Sequence, residues 1–177
     1  MSLRRTATAL LLGLAGAAVP LGAAERDGWE VVSSPAKIFV LQNLEGRALR
    51  STELAGKVVV VDFWATWCAP CIKELPSLAA LHERLRDRKD VALLSFNVTD
   101  EPKTLEAFVR EKKIAFPVYR ADTLTGPYEL TVFPTKLVID MRGAGRANPG
   151  VVRFRREGPA SVEGIEARVA ELLAEKP

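Results

Sequence analysis

The chain has two cysteines in 177 residues, and they stand two residues apart in Trp67-Cys68-Ala69-Pro70-Cys71. Thiols at this spacing can form a reversible disulfide, half of a zinc site, or a structural bridge. The apolar run Val58-Val59-Val60-Val61-Asp62-Phe63 precedes them, and Glu74, Leu75, Leu78 and Leu85 continue a helical pattern behind them. A thiol at a helix N-terminus meets unpaired backbone N–H groups and the positive end of the macrodipole, both of which favour the thiolate. The second cysteine lies about one turn on, close enough to close a small ring with the first. Closed zinc sites need four ligands, yet no third cysteine exists and His82 is the only histidine. A bridge over a two-residue loop would remove little entropy from the unfolded chain. The arrangement therefore reads as a reversible two-electron switch.

The residues ahead of this segment read as an address. Arg4 and Arg5 make a basic start, Ala7 to Leu21 are almost wholly apolar, and Gly22-Ala23-Ala24 supplies small residues before Glu25. That is the three-part pattern of a secretory signal peptide over residues 1–24, with cleavage expected after Ala24. An uncleaved membrane anchor is the alternative, since Thr6 to Ala24 approaches the length of a short span. Residues 25–177 make one domain with ample apolar content for a core. Without the leader's two arginines the charge falls to 23 basic against 22 acidic side chains, which gives no reason to expect nucleic acid as a partner. An exported chain with only two cysteines has no disulfide framework, so the pair is free for chemistry.

The elements that must position the dithiol follow from periodicity. Ile38 to Leu41 and Arg47 to Ser51, joined by a turn at Asn43 to Gly46, predict an N-terminal hairpin. Lys57 to Phe63 predicts a strand buried on both faces. Cys71 to Arg88 predicts a helix, kinked at Pro76. Val91 to Phe96 predicts a second buried strand, and Thr99 or Asp100 the cap of a helix ending at Lys112-Lys113. A short strand at Val118-Tyr119, a helical turn at Gly126 to Leu130, and strands at Thr135 to Asp140 and Val151 to Arg155 follow. Ser161 caps a last helix through Ile165, Val169, Leu172 and Leu173. The order βαβ then ββα implies an α/β fold with a mixed central sheet flanked by helices.

Val61-Asp62-Phe63-Trp64-Ala65-Thr66-Trp67-Cys68-Ala69-Pro70-Cys71, with Phe133-Pro134-Thr135 downstream, resembles the thioredoxin-like three-layer fold. The hairpin, the Cys-x-x-Glu-Leu-Pro run at Cys71 to Pro76 and the leader are similar to the exported TlpA/ResA-like thiol–disulfide oxidoreductases. The resemblance covers roughly residues 36 to 175. It implies a four- or five-stranded core sheet, a periplasmic or otherwise extracytoplasmic location, and reduction of disulfides in exported partners such as apocytochrome c or a copper-site oxidase subunit. It also implies a membrane thiol protein as electron donor, a monomer, and no cofactor or metal beyond the Cys68–Cys71 disulfide. It places Pro134 beside the dithiol after a cis bond from Phe133, with Trp67, Phe133, Pro134 and Thr135 contacting the partner. Phe133 and the long basic segment Met141 to Pro149 depart from the usual pattern of the family.

Position makes Cys68 the exposed attacking thiolate and Cys71 the resolving thiol. Asp62, six residues before Cys68, is expected beneath the dithiol, where burial disfavours its charged form and suits it to act as a base. Glu74, three residues after Cys71, reaches the same cleft from the helix. Trp64 reads as core and His82 as a solvated helix residue. Arg142, Arg146, Arg153, Arg155 and Arg156 read as a soluble basic hairpin that could help dock an acidic partner. Two other functions compete. A peroxidase of the same fold would place a threonine three residues before a single reactive cysteine, whereas Thr66 is two before Cys68. A copper carrier would need His82, eleven residues past Cys71, to join the thiols.

Overall fold

A strand of four valines followed by Asp62, Phe63 and Trp64 can be satisfied only in the middle of a sheet, and β4 (Val58–Trp64) is buried along its whole length. The computed structural model describes residues 28–145 and 147–176. The expected leader at 1–24 and Arg146 of the basic segment lie outside the described residues. The other strands are β1 (Glu30–Pro35), β2 (Val40–Gln42), β3 (Ala48–Arg50), β5 (Val91–Asn97), β6 (Val118–Arg120), β7 (Thr135–Asp140) and β8 (Val151–Glu157). The helices are α1 (Ala69–Leu85), α2 (Pro102–Lys112) and α3 (Val162–Ala174).

Six strands form the main sheet in the order β1-β8-β7-β4-β5-β6, and β2 pairs with β3 in a separate hairpin. β4, β5 and β6 run parallel, β7 pairs antiparallel with β4, and β8 pairs antiparallel with β7. The α/β sheet of mixed direction flanked by helices is thus the observed fold. β1 is a strand that periodicity does not announce, because most of its side chains are exposed and its place is set by antiparallel pairing with β8.

Alternation along β4 divides the core in two. Val59, Val61 and Phe63 pack with Phe39 and Leu41 of the hairpin region and with Leu124 and Tyr128. Val58 and Val60 pack with Leu78 and Leu81 of α1 and with Ile165, Val169 and Leu172 of α3. Trp64 joins Cys68, Cys71, Leu75 and, from α2, Leu105. The even positions of β4 thus face the helices, and Asp62 belongs to that set.

Helix boundaries differ from expectation where caps decide them. α1 begins at Ala69 rather than Cys71 because Cys68 is the N-cap and Pro70 fills a first-turn position whose N–H would be unpaired anyway. It ends at Leu85, and Pro76 lies within it without interrupting the assignment. α2 is capped by Glu101, with Pro102 at its first position, rather than by Thr99 or Asp100. Asp100 is instead drawn into a buried hydrogen-bond cluster. Ser161 caps α3 as expected, its hydroxyl accepting from the Gly164 N–H at 3.0 Å.

Candidate active site

Cys68 and Cys71 form a disulfide with Cα atoms 5.3 Å apart, at the junction of β4 and α1. The Cys71 N–H donates to Cys68 Sγ at 3.3 Å, so the sulfur occupies the capping position that an oxygen usually takes. The same group would stabilise negative charge on that sulfur after reduction. Cys68 is 4% exposed and Cys71 2%, which corrects the expectation of an exposed first thiol. Both sulfur-bearing residues pack in the cluster formed with Trp64, Leu75 and Leu105.

Access to the pair is framed by aromatic rings. Trp67 is 63% exposed and meets Phe133 edge-on, with ring centroids 5.8 Å apart. Phe133 also packs against the cluster that contains the dithiol, and its bond to Pro134 is cis. Val132, beside it, is exposed as well. Pro134 and Thr135 are buried and bonded inward. The Pro134 carbonyl accepts from the Gly158 N–H at 2.8 Å, and the Thr135 hydroxyl donates to the Val132 carbonyl at 2.7 Å. Of the four residues expected to meet a partner, Trp67 and Phe133 therefore present their side chains, while Pro134 and Thr135 support the loop beneath.

The Trp67 ring is anchored by a network that the sequence does not announce. Its Nε1 donates to Thr99 Oγ1 at 3.3 Å. Thr99 adopts φ 67°, a region costly for a β-branched residue, and its N–H is held by Asp122 Oδ1 at 2.7 Å. The preceding residue, Thr66, is fixed by Asp100, which accepts from its N–H at 2.7 Å and from its hydroxyl at 2.6 Å. Asn97 Nδ2 donates to the same carboxylate at 2.7 Å. Apart from the local Asn97–Asp100 bond, every bond here crosses between segments distant in sequence, which is why spacing alone misses them.

Below the dithiol helix lies a buried trio of charges. Asp62 of β4 and Lys136 of β7 are directly opposed across the antiparallel ladder. Lys136 Nζ stands 3.1 Å from Asp62 Oδ1 and 2.8 Å from Oε2 of Glu74, which reaches down from α1. Lys136 is 0% exposed and Asp62 is also buried. Oε1 of Glu74 accepts from the Ala160 N–H at 2.7 Å, so both Glu74 oxygens are hydrogen-bonded. Asp62 Oδ1 is not. The ammonium is close enough for ionic attraction but lies off the hydrogen-bonding direction. Burial pulls the Lys136 pKa down, yet the charges of Asp62 and Glu74 outweigh it and hold the ammonium above the usual lysine range.

This trio corrects the picture of Asp62 as a lone carboxylate in a poorly hydrated spot. Lys136 is the residue that sequence reasoning missed. Its signal was a cation within the apolar run Thr135 to Ile139, on the same face as Val138. His82 is also not a solvated helix residue: its ring stacks on Phe116 at 5.4 Å, and burial, foremost, lowers its pKa. It lines, with Asp62, Ser95 and Phe116, a cavity of about 10 Å³. The described arginines of the basic segment are engaged. Arg142 pairs with Asp140, Arg153 with Glu175 and Arg155 with Glu157, while Arg156 bonds the Pro159 carbonyl. Among the described residues no group of three or more His, Cys, Asp or Glu side chains could hold a metal ion. No helix among them is long and apolar enough to cross a membrane.

A family model described as AhpC/TSA matches residues 32–144, well over half of the chain. The chain belongs to the AhpC/TSA family. The AhpC/TSA match contains the dithiol, both carboxylates, Lys136 and the Phe133–Pro134 bond. The thiol-disulfide oxidoreductase ResA of Geobacillus thermodenitrificans is 36% identical over 114 residues, 63% of this chain and 65% of the relative. The ResA of Bacillus cereus strain ZK is 31% identical over the same shares. The chain thus spans 65% of the length of these curated relatives. A thiol:disulfide interchange protein of the thioredoxin family from Chlorobium tepidum superposes with TM-score 0.67 at 25% identity, covering 82% of this chain and 99% of that one.

Proposed function

We propose that this protein is an exported thiol–disulfide oxidoreductase that reduces disulfides in partner proteins through Cys68 and Cys71. The observation that carries the reading is the disulfide itself, set with Cys68 as the sulfur cap of α1 beside the exposed Trp67 and the partly buried Phe133. The likeness to relatives named ResA supports the same chemistry, and the residues 1–24 pattern supports export.

In the reduced protein the Cys68 thiolate attacks one sulfur of the partner's disulfide, and the other partner sulfur leaves as a thiolate. Cys71 then gives up its proton and attacks Cys68 Sγ. That step breaks the mixed disulfide, releases the second partner thiolate and restores the Cys68–Cys71 bond. Two electrons pass to the partner, and a membrane thiol protein resupplies them from outside this chain. Trp67 and Phe133 give the partner an apolar contact next to the reacting sulfur. Asp62 and Glu74 are the proton handlers of the second step, and no cofactor is required. Ala69-Pro70 places no histidine beside the thiolate, so a potential below about −200 mV is expected, nearer thioredoxin than the strong periplasmic oxidant at about −120 mV. Apocytochrome c is one partner class that fits this role.

The peroxidase reading finds less support, because the Thr66 hydroxyl donates to Asp100 and a second cysteine follows Cys68. The deciding experiment is a trapping series on the mature protein. Cys68→Ser abolishes reduction of insulin, whereas Cys71→Ser accumulates partners linked to Cys68. If Cys71→Ser traps nothing and the reduced protein consumes peroxide instead, the reading is wrong.

A further inference from the structure

We propose that Lys136 is a positioning residue that divides the roles of the two carboxylates: it holds Glu74 as a fixed anion and leaves Asp62 as the single proton acceptor of the site. The inference deepens the proposed function and rests on its assignment of proton handling to this pair.

Hydrogen bonding makes the two acids unequal. Glu74 receives the Lys136 ammonium on Oε2 and the Ala160 N–H on Oε1, so a proton arriving there must displace a charge-assisted bond or clash with an N–H donor. Asp62 Oδ1 is buried and has only the 3.1 Å ionic contact with Lys136, with no well-aligned hydrogen bond. Charge points the same way. With both acids ionised and Lys136 protonated, the trio carries one net negative charge in a site where Lys136 and Asp62 are buried and Glu74 keeps slight contact with solvent. One proton on Asp62 brings it to zero, a change that a buried site favours. The proton released when Cys71 becomes a thiolate supplies that change, and the Asp62 proton is lost to solvent before the next cycle.

Topology shows why the lysine is needed. Without it, two carboxylates from β4 and α1 would share a buried site with no cation, and like charges there raise the proton affinity of one of them. Asp62 would then hold a proton before Cys71 needed to release one. The charged and titratable groups around Asp62 are Lys136 from β7, Glu74 from α1 and, across the small cavity, His82 from α1. His82, kept neutral by burial, adds no charge at neutral pH.

The test is single-turnover reduction of insulin by the pre-reduced mature protein between pH 5 and 9. Lys136→Met is expected to move the acidic limb of the profile upward by about 1–3 pH units, a loss of at least roughly tenfold near pH 6 that closes toward the alkaline end. Glu74→Gln, which removes one anion and keeps the cation, moves the limb the opposite way. A Lys136→Met rate lowered by the same factor at every pH, or a limb that does not move, overturns the proposal and leaves the proton reading intact if Asp62→Asn abolishes the limb. Should Asp62→Asn keep the wild-type limb, the proton reading itself fails. Carboxyl carbon NMR of the wild-type protein gives a check that needs no variant to fold. The Glu74 signal is expected to stay that of an anion when the disulfide is reduced and re-formed while the Asp62 signal changes, and the reverse overturns the assignment.

Discussion

Replacing Lys136 by Met keeps most of the length of a side chain that is 0% exposed and deletes its charge. The buried Asp62 and the partly buried Glu74 are then left without their shared counter-ion, while the apolar stem is kept, so the loss is mainly electrostatic rather than a cavity. Breaking a buried ion pair by removing one partner costs about 3–5 kcal/mol. For a domain of this size that corresponds to a fall in Tm of about 6–20 °C. The pH dependence identifies the cause. Lys136 has its pKa raised in the fold, so its contribution is complete below the unfolded lysine value near 10.5 and is lost as pH rises through the folded one. At the other end, the like charges left without a counter-ion raise the proton affinity of one carboxylate in the variant, so the repulsion is relieved as pH falls. The stability gap between wild type and Lys136→Met is therefore widest between these limits. Urea unfolding of the oxidised proteins at pH 4, 7 and 9 measures it, with the disulfide kept intact so that m-values are comparable. A gap under about 1 kcal/mol at pH 7, or one equally large at pH 4, would refute the reasoning, because a packing defect does not titrate.

Two further outcomes are expected. Trp67→Ala removes an exposed ring, so unfolding should move by no more than about 0.5 kcal/mol, while kcat/KM for insulin falls roughly 5- to 30-fold through lost partner contact; an unchanged kcat/KM discards Trp67 as a contact. His82 has its pKa lowered chiefly by burial, so the unfolded chain binds a proton that the fold does not, and wild type loses stability as pH falls from about 7 to 5. His82→Phe, which keeps the stack on Phe116, should flatten that part of the curve, and parallel urea midpoints at pH 8, 6.5 and 5 for the two proteins would count against it.

How much of this was legible before folding depends on whether a feature is local. Strand β4, the dithiol at its end, the Ser161 cap and the helix behind Cys71 follow from period, capping chemistry and spacing within a few residues, and they stand within three residues of where the pattern puts them. Strand β1 does not, since its exposed sequence carries no alternation and only pairing with β8 makes it a strand. The cap of α2 failed for a related reason: Asp100 is a good capping residue in isolation, but the buried Thr66 N–H and Asn97 amide compete for its carboxylate and win.

The same division holds at the site. Residue types alone determine that a thiol pair at a helix start can cycle electrons, and that Asp62 and Glu74 sit at offsets from which they can serve it. What pairs with those acids is decided by register. Asp62 meets Lys136 because β4 and β7 align antiparallel although 73 residues of chain lie between the two positions, and Glu74 joins them because α1 lies across that face. Whether a buried carboxylate is lone or paired is set by through-space distances of about 3 Å. Those distances come into being only when strands far apart in sequence are laid side by side.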